Sequence, residues 1–414
     1  MLYQVQLDNG LHIIIDQDLN SKTCTIQYTV AVGALDEQGS YWGNNNFGVC
    51  HFIEHMLFKG TNKRNVNQIN DDIARIGGIT NAYTGFDRTC FYISSPADVW
   101  KQNFEILNDI FWNSTLPEDE FEKEKTVILE ELKMYDDQPK SKCLEQLDIL
   151  CNSKYENRQH VAGTIESVKK LTVNDLKKMM KQYYQPNNIA LIVAGNIPIS
   201  DFITEAKYYL ADKQKEIIFE RDNYFNDYTL NGRISHIYRN DISQAHLAFM
   251  LAGIPVHYKD HYIQEVMSDI LGLGFTSRLY KIIREELGLA YTVSASCTGL
   301  RDASYIIGYC GLDVSNIEKV HYIIVKELSK LKFEYISQEE LNMIKAVNKG
   351  QILLALEPTA AKISIHENNF INHTNYTIDD IINKIENVTS EDIYNFANKW
   401  INKNNICWSV VSPK

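Results

Sequence analysis

The sequence predicts an α+β protein of two homologous layered domains, each an antiparallel-rich sheet packed with helices. Three observations predict it. Runs rich in β-branched residues stand apart from longer stretches with helical spacing, the pattern of sheets and helices in separate layers. The 414 residues suit two domains of roughly 200 better than one. The halves are also weakly self-similar. Ala82-Tyr83-Thr84 sets against Ala290-Tyr291-Thr292, and Pro117-Glu118-Asp119-Glu120-Phe121 against Ser337-Gln338-Glu339-Glu340-Leu341.

The elements follow in order. Leu2 to Leu7 and Leu11 to Ile15 flank Asp8-Asn9-Gly10, whose Asn-Gly pair signals a hairpin turn. Thr23 to Ala34 has the β-branched and aromatic content of a strand, and Thr89 to Ser94 reads likewise. Ala97 to Trp112 and Val168 to Tyr183 carry helical spacing. Arg233 to Tyr238 and Ala245 to Leu251 open the second half as strands, followed by helices over Ile317 to Leu331 and Glu340 to Ala355. Polar residues from Lys213 to Asn231 interrupt the pattern. The expected organisation is a first domain at 1–215, a linker at 216–232 and a homologous second domain at 233–414.

His51-Phe52-Ile53-Glu54-His55 carries the chemistry. Positions i, i+3 and i+4 share one helix face. His51 and His55 can therefore bind one Zn²⁺ while Glu54 points at its open side. Zinc catalysis needs such a set: a few protein ligands, an exchangeable water and a carboxylate to take its proton. The order inverts the commoner H-E-x-x-H and has the inverzincin form. Apolar neighbours from Gly48 to Phe58 make the helix read as buried, so its polar groups must be hydrogen-bonded or bind metal. A core polar network is the alternative, and a third ligand decides against it. Its best source is the segment Leu116 to Leu132, where Pro117 and an acidic run mark a helix start. There Glu124 and Glu131 stand seven apart on one face.

At these residues the chain resembles the pitrilysin, insulin-degrading-enzyme and mitochondrial-processing-peptidase family of zinc metallopeptidases. The resemblance rests on His51 to Thr61, on Gly77-Gly78-Ile79-Thr80-Asn81-Ala82-Tyr83-Thr84, and on Glu124 to Glu131. It implies Glu131 as third ligand, Glu124 as the acid that orients a ligand, and one Zn²⁺ per chain. Glu130 is the runner-up ligand, but a one-residue shift turns a helical side chain by about 100° and breaks the pairing with Glu124. A second matching stretch, Ser277 to Tyr291, implies that Arg284 and Tyr291 help hold the scissile peptide. Read without the family, Arg284 is a surface helix charge and Tyr291 a strand residue. Asn81, Ala82 and Tyr83 are the expected strand edge onto which a peptide adds as an extra strand.

The resemblance further implies metalloendopeptidase action on peptides or unfolded segments inside a chamber, with zinc-bound water activated by Glu54. This chain would supply half of a clamshell. A homodimer, or a heterodimer with a related chain, is therefore expected. The other class of reading is a non-catalytic assembly or binding subunit, and retention of His51, Glu54, His55 and Glu131 argues against it. On the repeat register Glu131 falls on Gln351 and Glu124 on Ile344, so the second half is expected to lack metal. One departure from the family is the long, Asn-rich stretch Gly39 to Phe47, expected to be a loop beside the site.

Composition sets the remaining bounds. The net charge of −12 argues against nucleic acid. No apolar run approaches the roughly 18–20 residues that span a membrane. The N-terminus enters a strand with no basic or apolar leader, which predicts a cytoplasmic location. Eight scattered cysteines without a C-x-x-C pair indicate neither a disulfide framework nor a thiolate zinc site. His257 and His261 stand four apart, but with no acids expected nearby they are read as ordinary histidines.

Overall fold

A computed structural model describes residues 1–37, 46–150, 160–215, 232–301, 304–402 and 406–414. The first half runs β1 (Leu2–Gln6), β2 (His12–Gln17), β3 (Thr23–Val30), α1 (Val49–Leu57), α2 (Val66–Arg75), β4 (Ile79–Thr84) and β5 (Thr89–Pro96). It continues through α3 (Trp100–Asn113), α4 (Glu118–Asp137), α5 (Pro139–Leu150), α6 (Ile165–Lys170), α7 (Val173–Tyr183), β6 (Ile189–Gly195) and α8 (Ile199–Leu210). The second half repeats the order. It has β7 (Ile234–Tyr238), β8 (Ala245–Ala252), α9 (His261–Gly272), a π-helical segment (Tyr280–Glu286), β9 (Ala290–Gly299) and β10 (Ser304–Leu312). Then come α10 (Ile317–Phe333), α11 (Gln338–Ala355), α12 (Thr359–Asn372), α13 (Ile378–Glu386), α14 (Ser390–Trp400) and β11 (Cys407–Ser412).

Two compact units result. The first comprises the described parts of Met1–Leu132, Gln159–Arg221 and Ala355–Asn375; the second takes the rest. Each unit thus includes one helix from the other half of the sequence. The first carries α12, and the second carries α5, whose Cys143 Sγ lies 3.4 Å from the His246 carbonyl oxygen and 3.3 Å from that of Ser409. The α+β class holds, with a repeated element order.

In the first unit the strand order is β1-β2-β6-β3-β5-β4, antiparallel except for the parallel pair β2–β6. β6 (IALIVAG) is buried along its whole length, as a central strand covered on both faces must be. Alternation assigns its side chains. Leu191 and Val193 join Ile13, Ile15, Ile26 and Tyr28 in the main core, while Ala190, Ile192 and Ala194 face Ile363 of α12 with Ile14. Polar contacts fix α12 in register. The buried Glu367 accepts from Gln27 Nε2 and Arg88 Nη1, each at 2.8 Å, and from the Tyr83 hydroxyl. β4 closes this sheet as an edge strand.

The second unit orders its sheet β7-β11-β8-β10-β9, with β7–β11 parallel and β9 at the edge. Its core is a separate apolar cluster around Phe249, Val266, Ile270 and Ile324.

Several expectations are corrected. Strands do not simply precede helices, because β6 comes after α7 and β11 after α14, and both insert beside the opening strands of their halves. The helix expected over Val168 to Tyr183 is two, broken where Thr172 leaves helical geometry to cap α7 in a box with Asp175. β3 ends at Val30, and Ala34–Glu37 form a 3₁₀ turn instead. Residues 39–45 of the Asn-rich stretch and 216–231 of the expected linker lie outside the described residues. Among the described residues no helix is long and apolar enough to cross a membrane.

Candidate metal centre

α1 begins without a side-chain cap of its own. Glu37, almost fully buried, caps it from a distance: its two oxygens accept from the Gly48 N–H at 2.7 Å and the Cys50 N–H at 2.8 Å. A carboxylate at a helix N-terminus is favoured by the dipole and satisfies orphan donors. Burial nevertheless pushes this carboxyl up to about 8, against those two bonds. Gly48 turns into the helix at φ +88°, where a Cβ would meet the Ala162 carbonyl oxygen at 2.4 Å. Val49, Cys50, Phe52, Ile53, Met56 and Leu57 are buried, and Cys50 Sγ turns to the Gly33 carbonyl, away from the histidine face. Phe52 stacks on Phe121 of α4 with ring centroids 4.4 Å apart, which sets α4 against α1.

That packing brings Glu131 to the histidines. Its Oε2 lies 3.8 Å from His51 Nε2 and 3.6 Å from His55 Nε2. Glu124, two turns earlier on α4, places Oε2 3.0 Å from His55 Nδ1, and its Oε1 pairs with Lys59 Nζ at 2.6 Å. Glu130 is exposed. Burial, with His55 beside it, pulls His51 down to about 4. Burial works against His55, but the Glu131 and Glu124 carboxylates hold it above its ordinary value. Burial likewise opposes ionisation of Glu124, yet Lys59 and His55 keep its carboxyl below the usual range.

Glu54 is raised by burial, and the Thr84 hydroxyl donates to its Oε2 at 2.6 Å. Thr84 ends β4, so the edge strand and the carboxylate are directly linked. On that strand Asn81 is exposed, with Oδ1 accepting from the Ala82 N–H at 2.9 Å; Ala82 is half-buried. The Tyr83 hydroxyl is spent on Glu367.

Arg284 and Tyr291 belong to the second unit. The Arg284 guanidinium sits 5.0 Å from the Tyr280 ring and 4.9 Å from that of Tyr291, an exposed residue of β9. The π-helical segment carries both Tyr280 and Arg284. The expectation that His261 has no acid nearby is corrected: Glu265, one turn on along α9, lies 3.3 Å from its Nε2.

Sequence reasoning assigned no role to Lys59, Thr84 or Glu37. The first two lie inside stretches already singled out, so their positions were available; their partners were not. Glu37 carries no local signal, because its role exists only once the chain returns to Gly48.

The donor set suits zinc. Among the described residues His51, His55 and Glu131 form the one group of three ligand-type side chains with atoms within 4.8 Å of one another. Tetrahedral Zn²⁺ with bonds of about 2.0–2.2 Å places neighbouring ligand atoms about 3.3–3.6 Å apart. The two distances from Glu131 Oε2, 3.6 and 3.8 Å, lie close to that spacing, and all three ligand atoms lie within 4.8 Å of one another. His51 is held neutral, the form that binds metal, and its Nδ1 is buried with no hydrogen-bond partner.

A layered two-unit fold with a His-His-Glu cluster and an adjacent glutamate defines a metallopeptidase-like class, and the chain belongs to peptidase family M16. Residues 12–165 match the model described as Insulinase (Peptidase family M16), and residues 170–348 match Peptidase M16 inactive domain. Its relatives include an uncharacterized zinc protease, YmxG, of Bacillus subtilis, 29% identical over 96% of this chain and 95% of that protein. An uncharacterized zinc protease of Rickettsia felis is 28% identical over 95% of this chain and 93% of the relative. In fold, the chain is similar to a protease from Helicobacter pylori (TM-score 0.92, 22% identity, covering 100% of this chain and 99% of that one). It is also similar in fold to a chain of complex III2 from Candida albicans (TM-score 0.82, 15% identity, covering 100% and 96%).

Proposed function

We propose that this protein is a zinc metalloendopeptidase that hydrolyses peptides or unfolded polypeptide segments. One observation carries the reading: His51, His55 and Glu131 converge within ligand distance while Glu54, on the same helix, is held by Thr84. The names of its relatives as zinc proteases support it.

The chemistry a zinc ion supplies when bound is Lewis-acid polarisation of the scissile carbonyl and acidification of a water. The chain's residues do the rest. Glu54, its carboxyl raised by burial, takes the proton of the attacking water and delivers it to the leaving amine. Glu124 fixes the His55 ring through Nδ1. The open edge of β4 at Asn81 and Ala82 pairs with the peptide backbone, a grip that ignores most side chains. Tyr83 contributes backbone only, since its hydroxyl is engaged by Glu367. Arg284 and Tyr291 are assigned to holding the peptide. The working species is a homodimer or a pair with a related chain, to be read by ultracentrifugation; a monomer that cleaves at full rate refutes it.

The second reading is a non-catalytic subunit, favoured by the match of residues 170–348 to an inactive domain and by the fold likeness to a complex III2 chain. Zinc content and cleavage of quenched fluorescent peptides separate the two. The enzyme reading expects about one zinc per chain and turnover that Glu54→Gln abolishes while zinc stays bound. Near-normal turnover in that variant removes the role of Glu54.

A further inference from the structure

We propose that Lys59 is a positioning residue for the metal centre: it holds Glu124, and Glu124 in turn orients His55. The inference rests on the zinc reading above. The Glu124 carboxylate is divided between two partners, with Oε1 at 2.6 Å from Lys59 Nζ and Oε2 at 3.0 Å from His55 Nδ1. A glutamate carboxylate rotates broadly about its last torsion. An ammonium on one oxygen removes that freedom and leaves the other aimed at the ring. An Nδ1–H held on Glu124 would leave Nε2, 3.6 Å from Glu131, as the ring nitrogen open to a metal.

Backbone placement supports the same role. Lys59 follows the last turn of α1, with its N–H bonded to the Met56 carbonyl at 3.1 Å. It stands four residues beyond His55, so helix, ligand and ammonium move together.

The competing explanation is that Lys59 only clips α1 to α4. The two differ in the metal-free protein: a clip alone lowers its melting temperature along with zinc affinity, whereas positioning weakens zinc binding while the metal-free melt stays close to wild type. The test loads metal-free full-length protein with Zn²⁺ against a competing chelator and compares the wild type with Lys59→Met, Lys59→Arg, Glu124→Gln and the Lys59→Met/Glu124→Gln double variant. The expected result for Lys59→Met is about 10- to 100-fold weaker zinc binding, the usual cost of losing an outer partner. Lys59→Arg, which keeps the charge, stays within about threefold of wild type, and Lys59→Met adds nothing once Glu124 is Gln.

Zinc affinity of Lys59→Met within about threefold of wild type, or losses that simply add in the double variant, overturn the proposal. So does a failure of Lys59→Arg to restore binding. Should Lys59→Met give no soluble protein, Lys59→Gln is read by the same criteria. A wild-type protein that takes up no zinc overturns the reading of the site itself, an outcome distinct from the others.

Discussion

The Thr84 hydroxyl donates to Glu54 Oε2 at 2.6 Å, so the last residue of the edge strand β4 is bonded to the carboxylate on α1. A peptide paired on β4 would therefore lie along the strand that also sets the angle of the base. Thr84→Val keeps the shape and removes the donor. Because hydrogen bonds to charged groups contribute about 1.5–3 kcal/mol, kcat/KM on a quenched peptide should fall about 10- to 100-fold. Thr84→Ser should retain most of the activity and melt close to wild type, whereas Thr84→Val should also melt lower, because it leaves the partly buried Glu54 oxygen without its donor. Loss in Thr84→Ser with none in Thr84→Val would point to packing of the Thr84 methyl group instead.

Gly48→Ala should damage α1 at its root. The residue sits at φ +88°, and the new Cβ would lie 2.4 Å from a backbone oxygen that has no easy escape. The shift also pulls the Gly48 and Cys50 N–H groups off Glu37. A destabilisation of about 2–4 kcal/mol is expected, read as a lower midpoint in urea, with weaker zinc uptake in the fraction that folds.

Glu367→Ala should loosen α12. It removes one of two acceptors from Arg88 Nη1, which keeps Asn368 Oδ1, and one from Gln27 Nε2, which keeps Thr29 Oγ1, and it takes the Glu367 acceptor from the Tyr83 hydroxyl. Breaking a buried ion pair from one side costs about 3–5 kcal/mol. Asp87, which also binds Arg88, should keep the loss at the lower end. Denaturant titration measures it.

Asp269 gives a pH signature in the second unit. Burial, with Glu265 nearby, pushes its carboxyl from 3.8 up to about 7. The folded state therefore holds a proton between those values that the unfolded state has released. Its contribution to stability is full below about pH 4, declines as pH rises, and is lost by about pH 7. Asp269→Asn retains an oxygen to accept from Asn348 and removes the titration. The variant should lose less stability than wild type between pH 4 and pH 7, and should melt higher at pH 8. Parallel pH curves for the two proteins would contradict this.

Much of the candidate site was legible because it is local. His51, Glu54 and His55 are brought together by the pitch of a single helix, and Glu124 and Glu131 by two turns of another. The helix at 168–183 was misread because its apolar spacing runs through Thr172, whose capping bond outweighs it. β6 went unassigned because a short apolar run alone does not separate a buried strand from a helical segment.

By itself the sequence determined which residue types stand at helical spacing, that the chain is a repeat, and that only the first half keeps the metal-binding pattern. Local geometry decides these, and it needs no partner beyond the next turn. Only the tertiary structure decided that Glu37 caps α1, that Thr84 holds Glu54, that Lys59 and His55 share Glu124, and that α5 and α12 each join the other half's unit. Those relationships join residues tens to hundreds of positions apart, and burial gives them their strength. Neither separation nor burial is written in the spacing of a sequence.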